Sequence, residues 1–197
     1  MKFGLKKMFF LLFAGAVYMF SLFGCAGNFK YDTYSSKDPE INAVMDYISG
    51  WSYSESRGAN DSFAQVVFYE PTKANDINRA GIVLTIEKES SVSFSPLTVE
   101  AKADDLLSKR LKLKDAMVLS KTKKSFLNNL DALEIELSYK MLDKLYAVDA
   151  KSVPFKEKII IFKRSGRFYT LRYQSSEAVY DKFIKAFKHS AKSLKLK

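Results

Sequence analysis

Cysteine and histidine are almost missing from this 197-residue sequence, which has one of each, Cys25 and His189. One cysteine excludes a disulfide within the chain, so packing alone must hold the fold together. One histidine leaves a histidine-based catalytic triad or an all-histidine metal centre without its other members. We therefore interpret His189 as a solvated surface residue.

Other catalytic signatures are missing too, because the sequence contains no glycine-rich phosphate loop, nucleophile elbow or zinc motif. Carboxylates remain as candidates for calcium or manganese, in the pair Asp104-Asp105 and in the set Asp131, Glu134 and Glu136. Neighbours on a helix point apart, and strand residues two apart share one exposed face, so we interpret both groups as solubilising charge. We predict no metal, no cofactor and no enzymatic activity, although carboxylates brought together by folding remain an alternative.

The first 25 residues have the pattern of an export signal. Lys2, Lys6 and Lys7 precede an uncharged apolar stretch from residue 8 to residue 23. The stretch runs into Leu22-Phe23-Gly24-Cys25, which resembles the lipobox of bacterial lipoproteins, although Phe23 departs from that pattern. The resemblance implies that residues 1–24 are a signal peptide and that the thiol of Cys25 receives a diacylglyceryl group and becomes the first residue after cleavage.

An uncleaved signal anchor is the alternative, because residues 8–27 form about the 20 residues that cross a hydrocarbon core of about 30 Å. Both alternatives place the remaining chain outside the cytoplasm. Ala26 follows the cysteine, and by resemblance this favours the outer membrane in a cell with two membranes. We therefore predict an extracytoplasmic protein that meets its membrane through lipidated Cys25.

Positive charge is concentrated at the C-terminal end. Residues 151–197 hold 13 Lys and Arg against three Asp and Glu, whereas residues 25–150 hold 16 against 19. Such asymmetry indicates a surface for anionic lipid or an acidic protein partner, with solvated lysines as the alternative. Nucleic acid is not an expected partner, because the chain is predicted to be exported and has no recognisable reader motif.

A mature chain of 173 residues and a hydrophobic fraction of 47% predict one globular domain, over residues 38–197, preceded by a tether over residues 25–37. We expect the domain to be monomeric. Asp38-Pro39 and the spacing of Ile41, Val44, Met45 and Ile48 predict a helix over 39–49. The remaining predicted elements are strands at 63–69, 81–87, 116–121, 133–139, 158–163 and 167–174, a helix after Thr98, a final helix after Ser175 or Ser176, and turns at Asn75-Asp76 and Asn128-Asn129.

The final predicted helix is amphipathic. Its apolar arc comprises Val179, Phe183, Ala186, Phe187, Ser190 and Leu194. Its opposite arc comprises Lys182, Lys185, Lys188, His189 and Lys192. The four lysines form the predicted docking surface for an envelope partner or for anionic lipid.

From Trp51 onward the sequence resembles the PsbP family. The resemblance is carried by Trp51, by the run from Phe68 to Pro71 with the loop that follows, by Gly166 to Leu171, and by Ser193-Leu194 near the end. It implies an α+β fold, an α/β/α sandwich in which helices cover a central antiparallel sheet on both sides. No metal-binding or photosystem-docking residue carries over, and a photosynthetic role is not implied.

Two functions of different classes follow. The first is a membrane-anchored, non-catalytic binding or scaffold module at the cell envelope. The second is a carrier of a small ligand, such as a lipid, pigment or metal ion, in an aromatic-lined groove, because aromatic residues make up 14% of the chain. A hydrolase that works through carboxylates is the weakest of the alternatives.

Overall fold

The computed structural model describes residues 29–71, 80–91, 97–126, 130–142 and 150–197. The regular elements of these residues are strands β1 (Tyr31–Ser35), β2 (Ala43–Ile48), β3 (Ser52–Arg57), β4 (Phe63–Tyr69), β5 (Gly81–Lys88), helix α1 (Val99–Arg110), β6 (Lys114–Phe126), β7 (Leu130–Leu142), β8 (Ser152–Arg164), β9 (Arg167–Ser176), helix α2 (Glu177–Ser193) and β10 (Lys195–Leu196). Cys25, the turns at Asn75-Asp76 and Asn128-Asn129, and the segment predicted as a signal peptide lie outside the described residues.

The strands form two antiparallel sheets. Seven of them lie side by side in the order β3-β4-β5-β9-β8-β7-β6, and β1, β2 and β10 form a small second sheet in the order β1-β2-β10. The β8–β9 hairpin at the centre is as predicted, and its turn places Ser165 at φ 48° and Gly166 at φ 68°. Positive φ at both central residues is the geometry that a two-residue hairpin turn requires.

The large sheet is covered on both faces, which the alternation of β8 shows directly. Ile159 and Ile161 belong to a core shared with α1, whereas Ile160 and Phe162 belong to a core shared with α2 and the small sheet. Successive side chains of a strand point to opposite faces, so a strand covered on both sides must be apolar at every position. The predicted α+β fold, an α/β/α sandwich around an antiparallel sheet, is confirmed.

Helix α2 is held by aromatic contacts. The Phe183 ring lies 5.4 Å from the Trp51 ring, centroid to centroid, and Phe187 stacks on Tyr173 at 5.7 Å. Phe183, Phe187 and Tyr173 are all buried. The helix is therefore fixed in rotation about its own axis, and its opposite side must face solvent.

The predicted helix over 39–49 is wrong. Asp38 does start one turn, because the Asn42 backbone N–H donates to the Asp38 carbonyl at 3.0 Å, but Asn42 has φ 39° and ends it. The chain then continues as β2, in which Ala43 and Met45 are buried and Val44 is half-buried. Burial at every second residue from Ile41 to Met45 is the period of a strand, and here it overrides the helical spacing.

Three further strands have no counterpart among the predicted elements, namely β1, β3 and the two-residue β10. Strand β1 lies within the segment predicted as a tether and pairs with β2 from Tyr31↔Ile48 to Ser35↔Val44, so the folded part of the chain includes residues before the expected boundary at 38. Strand β3 is an edge strand exposed along its whole length. It carries no apolar alternation, because neither of its faces is buried.

Replacing Phe183 by alanine tests how strongly the aromatic contacts hold α2. We expect Phe183→Ala to lower the free energy of unfolding by about 3 to 5 kcal/mol, because the cavity lies between the helix and Trp51. Urea unfolding measures it, with Lys185→Ala on the exposed side as the control, expected to change stability by less than about 0.5 kcal/mol. Equal effects of the two substitutions would show that α2 is not anchored through its aromatic side.

Candidate functional site: the basic side of the last helix

The four lysines that the sequence places on one side of the last helix, Lys182, Lys185, Lys188 and Lys192, are all exposed in the structure. We call them the lysine face. Among the described residues, Lys185, Lys188 and Lys192 make no ion pair, and Lys182 has one loose pair with Glu70 at 3.7 Å. Four exposed cations on one side of a fixed helix, three of them without a counterion in the described part of the chain, form a surface that attracts anions.

The C-terminal end of α2 is fixed to β2 by hydrogen bonds. The backbone N–H of Asp46 donates to the Ser193 hydroxyl at 2.9 Å, and that hydroxyl donates to the Ser190 carbonyl at 2.9 Å. Leu194 after the helix is buried, and β10 then pairs with β2. The lysine face therefore lies on a helix whose C-terminal end is held against β2.

The first described residues of the chain run along the same helix. The Phe29 ring lies 5.6 Å from the Phe183 ring, and Tyr31 stacks on His189 with ring centroids 3.9 Å apart. His189 Nε2 is also 3.2 Å from Asp46 Oδ2. As predicted, His189 is exposed at the surface, with 45% of its side chain accessible, and it also joins α2 to β1 and β2 through Tyr31 and Asp46.

A groove of about 370 Å³ adjoins the lysine face. The apolar residues that line it are Phe126, Ile160, Phe187 and Ala191. The charged residues that line it are Lys124, Glu134, Lys158, Lys188 and Lys192. A helix is about 10 Å wide and strands are about 4.8 Å apart, so one helix covers about two strands. Helix α2 contacts β8 and β9, and the groove opens where β7 and β6 extend beyond it.

One carboxylate organises the rim of the groove. Glu134 is held by Lys124 on β6 and by Lys158 on β8, whose Nζ is 3.0 Å from Glu134 Oε1. Burial raises the pKa of Glu134, but the hydrogen bonds from the two lysines outweigh it, so the pKa of this carboxyl lies below its usual value. With Lys188 and Lys192 added, cations outnumber anions around the groove.

Three of the other carboxylates named from the sequence also face lysines. Asp104 pairs with Lys121 at 2.7 Å, and Asp105 pairs with Lys109 at 2.8 Å. Glu136 lies 3.4 Å from the Lys158 Nζ. Over the described ranges of the chain, no three or more His, Cys, Asp or Glu side chains converge on a point where a metal ion could be held.

A buried charge cluster on the α1 side was not predicted. Glu157 is fully buried, with Arg110 Nε 3.0 Å from its Oε2 and Arg172 Nε 3.3 Å from its Oε1. Burial lowers the pKa of Arg172 and raises the pKa of the neighbouring Tyr139. One sequence signal could have indicated that Glu157 is buried: it alternates with Phe155 and Ile159, which point inward on the same strand. Its cations come from 47 residues upstream and 15 downstream, which no local pattern indicates.

Comparison with known proteins identifies the fold. No protein-family model matches the sequence, and no curated protein matches it either. Among solved structures, cyanobacterial PsbP (CyanoP) from Synechocystis sp. PCC 6803 superposes with a TM-score of 0.54 at 15% identity, covering 88% of this chain and 96% of that one. The chain has the PsbP-like fold.

Two other structures share this PsbP-like fold. The Ran-binding protein Mog1p of Saccharomyces cerevisiae has a TM-score of 0.53 at 8% identity, covering 86% of this chain and 96% of its own. PA94 of Pseudomonas aeruginosa, a protein of unknown function, has a TM-score of 0.53 at 11% identity, covering 85% of this chain and 97% of its own. At such identities the likeness establishes the fold alone, and the resemblance found in the sequence is confirmed at that level.

The predicted lipid attachment at Cys25 lies before the first described residue, so it stays a prediction. Neither α1 nor α2, the two α-helices of the described residues, has the length and hydropathy that crossing a bilayer requires. The structure brings the four predicted lysines together with Lys124, Lys158, Phe29 and Tyr31. Sequence reasoning did not place these four residues beside α2, because their proximity to α2 depends on how the sheets pack.

The ion pairs of Glu134 give a pH dependence of stability. Its folded-state pKa is depressed, so its stabilisation is complete above the unfolded value of about 4.3 and is lost as the pH falls through the folded value. We expect Glu134→Gln to be less stable than the wild type by about 1 kcal/mol at pH 7 and by much less at pH 3 in urea unfolding. Asp104→Asn, at an exposed pair, is the control with little effect at either pH. A Glu134→Gln deficit as large at pH 3 as at pH 7 would contradict this.

Proposed function

We propose that the protein is a membrane-anchored, non-catalytic binding module of the cell envelope, attached through lipidated Cys25 and docking through the lysine face of α2. The observation that carries the proposal is that three exposed lysines without ion pairs among the described residues stand on a helix fixed from behind by Phe183 and Phe187. Such a rigid cationic surface suits an anionic envelope component.

The anchor is supported by the sequence. A basic start, an uncharged apolar stretch and Leu22-Phe23-Gly24-Cys25 together fit a lipoprotein signal. Two or more acyl chains at Cys25 anchor a protein stably, whereas a single chain binds only marginally. We propose an extracytoplasmic location, on the outer membrane where the cell has two membranes, with the folded domain acting as a monomer.

The non-catalytic character is supported by the way the candidate carboxylates are used. Asp104, Asp105, Glu134 and Glu136 each face a lysine. Their charges are thereby engaged in ion pairs within the domain. The PsbP-like fold is compatible with a binding role, and it prescribes none by itself.

Replacing the cysteine tests the anchor. We expect Cys25→Ser, expressed with its full signal in a bacterial host, to accumulate as an unlipidated, slower-migrating precursor, because serine has no thiol for the diacylglyceryl group. Gel mobility and the intact mass of the membrane-extracted protein measure it. Ser21→Ala, which leaves Leu22 to Cys25 unchanged, is the control and should be processed like the wild type. Unchanged acylation in Cys25→Ser, or wild-type protein free in the cytosol, would contradict the anchor.

A carrier function is the second candidate, and the groove beside α2 favours it. The groove has two aromatic walls, Phe126 and Phe187, and its volume of about 370 Å³ falls within the usual range for small-ligand sites. The cationic rim would suit an anionic amphiphile, with the polar group at Lys124 and Lys192.

Native mass spectrometry separates the two functions. A carrier purified from its own host should retain a ligand mass, and Phe126→Lys, which puts a charge at the partly exposed wall of the groove, should lose it. Lys112→Glu, on the other side of the sheet, is the control and should keep the ligand. Wild-type protein that shows only the mass of the polypeptide and its lipid would exclude the carrier function.

A further inference from the structure

The chain enters the domain beside α2, and this restricts how an anchored domain can sit. The first described residue, Phe29, has its ring 5.6 Å from the ring of Phe183 on α2. Cys25 is four residues earlier, and a fully extended chain spans at most about 3.3 to 3.6 Å per residue, which gives a reach of about 14 Å. With lipid on Cys25, which rests on the function proposed above, Phe29 cannot lie farther than that from the lipid attachment point.

The reach is short compared with the domain. Helix α2 and the small sheet lie on one face of the large sheet and α1 on the other, and packed layers of this kind are about 10 Å apart. A domain of this length has a radius of gyration of about 15 Å. The α1 side therefore cannot turn toward the bilayer without moving Phe29 out of reach of its anchor.

The surface next to this entry point is the lysine face. The Lys182 Nζ lies 4.3 Å from the centre of the Phe183 ring, which itself contacts Phe29. Tyr31 stacks on His189, one turn after Lys185 and one residue after Lys188. The entry point of the chain at Phe29 and the lysine face thus lie on the same side of the molecule.

We propose that the lysine face of α2 rests on anionic lipid headgroups of the same membrane that holds the acyl chains of Cys25. Basic residues close to an anionic surface are attracted to it, and a basic patch next to a lipid anchor acts as a second membrane signal. The lipid is identified by its headgroup charge, because exposed lysines attract an anionic surface through charge.

Lysine footprinting of the lipidated, full-length mature protein tests the proposal. The protein is reconstituted in nanodiscs of phosphatidylcholine alone or with about one third phosphatidylglycerol, and acetylation rates are read by mass spectrometry. We expect the rates at Lys185, Lys188 and Lys192 to fall at least threefold in the anionic discs. Lys112 and Lys114, exposed residues at the end of α1 and the start of β6, should react equally in both.

Charge reversal gives the matched comparison. Lys185→Glu with Lys188→Glu should restore the neutral-disc rate at Lys192, whereas Lys112→Glu with Lys114→Glu, the same change of charge, should leave the protection intact. Equal rates at Lys192 in the two wild-type discs would overturn the proposal. Equal rates in discs together with protection in native membranes would also overturn it and indicate a protein partner.

Failure of the anchor can be told apart from failure of the lysine contact. The mass of the first tryptic peptide, which ends at Lys30, shows whether Cys25 carries lipid before reconstitution. A peptide without lipid refutes the proposed function and with it the orientation. A lipidated peptide with unprotected lysines refutes only the contact of α2 with the membrane.

Discussion

The burial of the aromatic side of α2 is the constraint on which the rest of the structure depends. Phe183 packs against Trp51, and Phe187 packs against Tyr173. No rotation of the helix about its axis keeps both rings buried while turning the lysines inward. The same contact holds Phe29, so one packing interaction fixes both the cationic surface and the point where the chain enters the domain. Hydrophobic packing therefore determines which way the lysine face points, although the lysines themselves contribute little to stability.

The width of the large sheet explains the groove beside α2. Seven strands are too many for one helix to cover, and the small sheet of β1, β2 and β10 packs in the same core as α2 while β6 and β7 extend past the helix. The groove is what remains between α2 and these strands. Its charged rim follows from β7, where Glu134 and Glu136 lie on the side left open by the helix and draw Lys158 toward them.

Much of the fold could be predicted from the sequence in segments whose hydrophobic residues follow only one spacing, either that of a helix or that of a strand. The β8–β9 hairpin and α2 have strong patterns, and the lysine arc of α2 followed from them. The segment after Asp38 was wrongly predicted as a helix, because Ile41, Val44, Met45 and Ile48 satisfy a helical period. Ile41, Ala43 and Met45 also satisfy a strand period. Only the pairing of β2 with β1 and with β10, which lies at the other end of the chain, decides between them.

Other features had weak signals or none. Strand β3 is polar and exposed, and it forms only because β4 offers it a partner from Ser52↔Tyr69 to Arg57↔Ala64. The approach of Phe29 and Tyr31 to α2 joins residues more than 150 positions apart. A resemblance to a family gave the layers of the sandwich, but it gave no functional residues, so the site had to come from packing and charge.

The distance between α2 and the bilayer surface tests the central claim most directly. Because Cys25 is the only cysteine of the chain, a cysteine introduced at Lys185 can be labelled alone once Cys25 is acylated. Energy transfer from that label to headgroup dyes in anionic vesicles should be much more efficient than from a label at Lys112 on the α1 side. Equal efficiencies at the two positions would contradict a domain held with α2 toward its membrane.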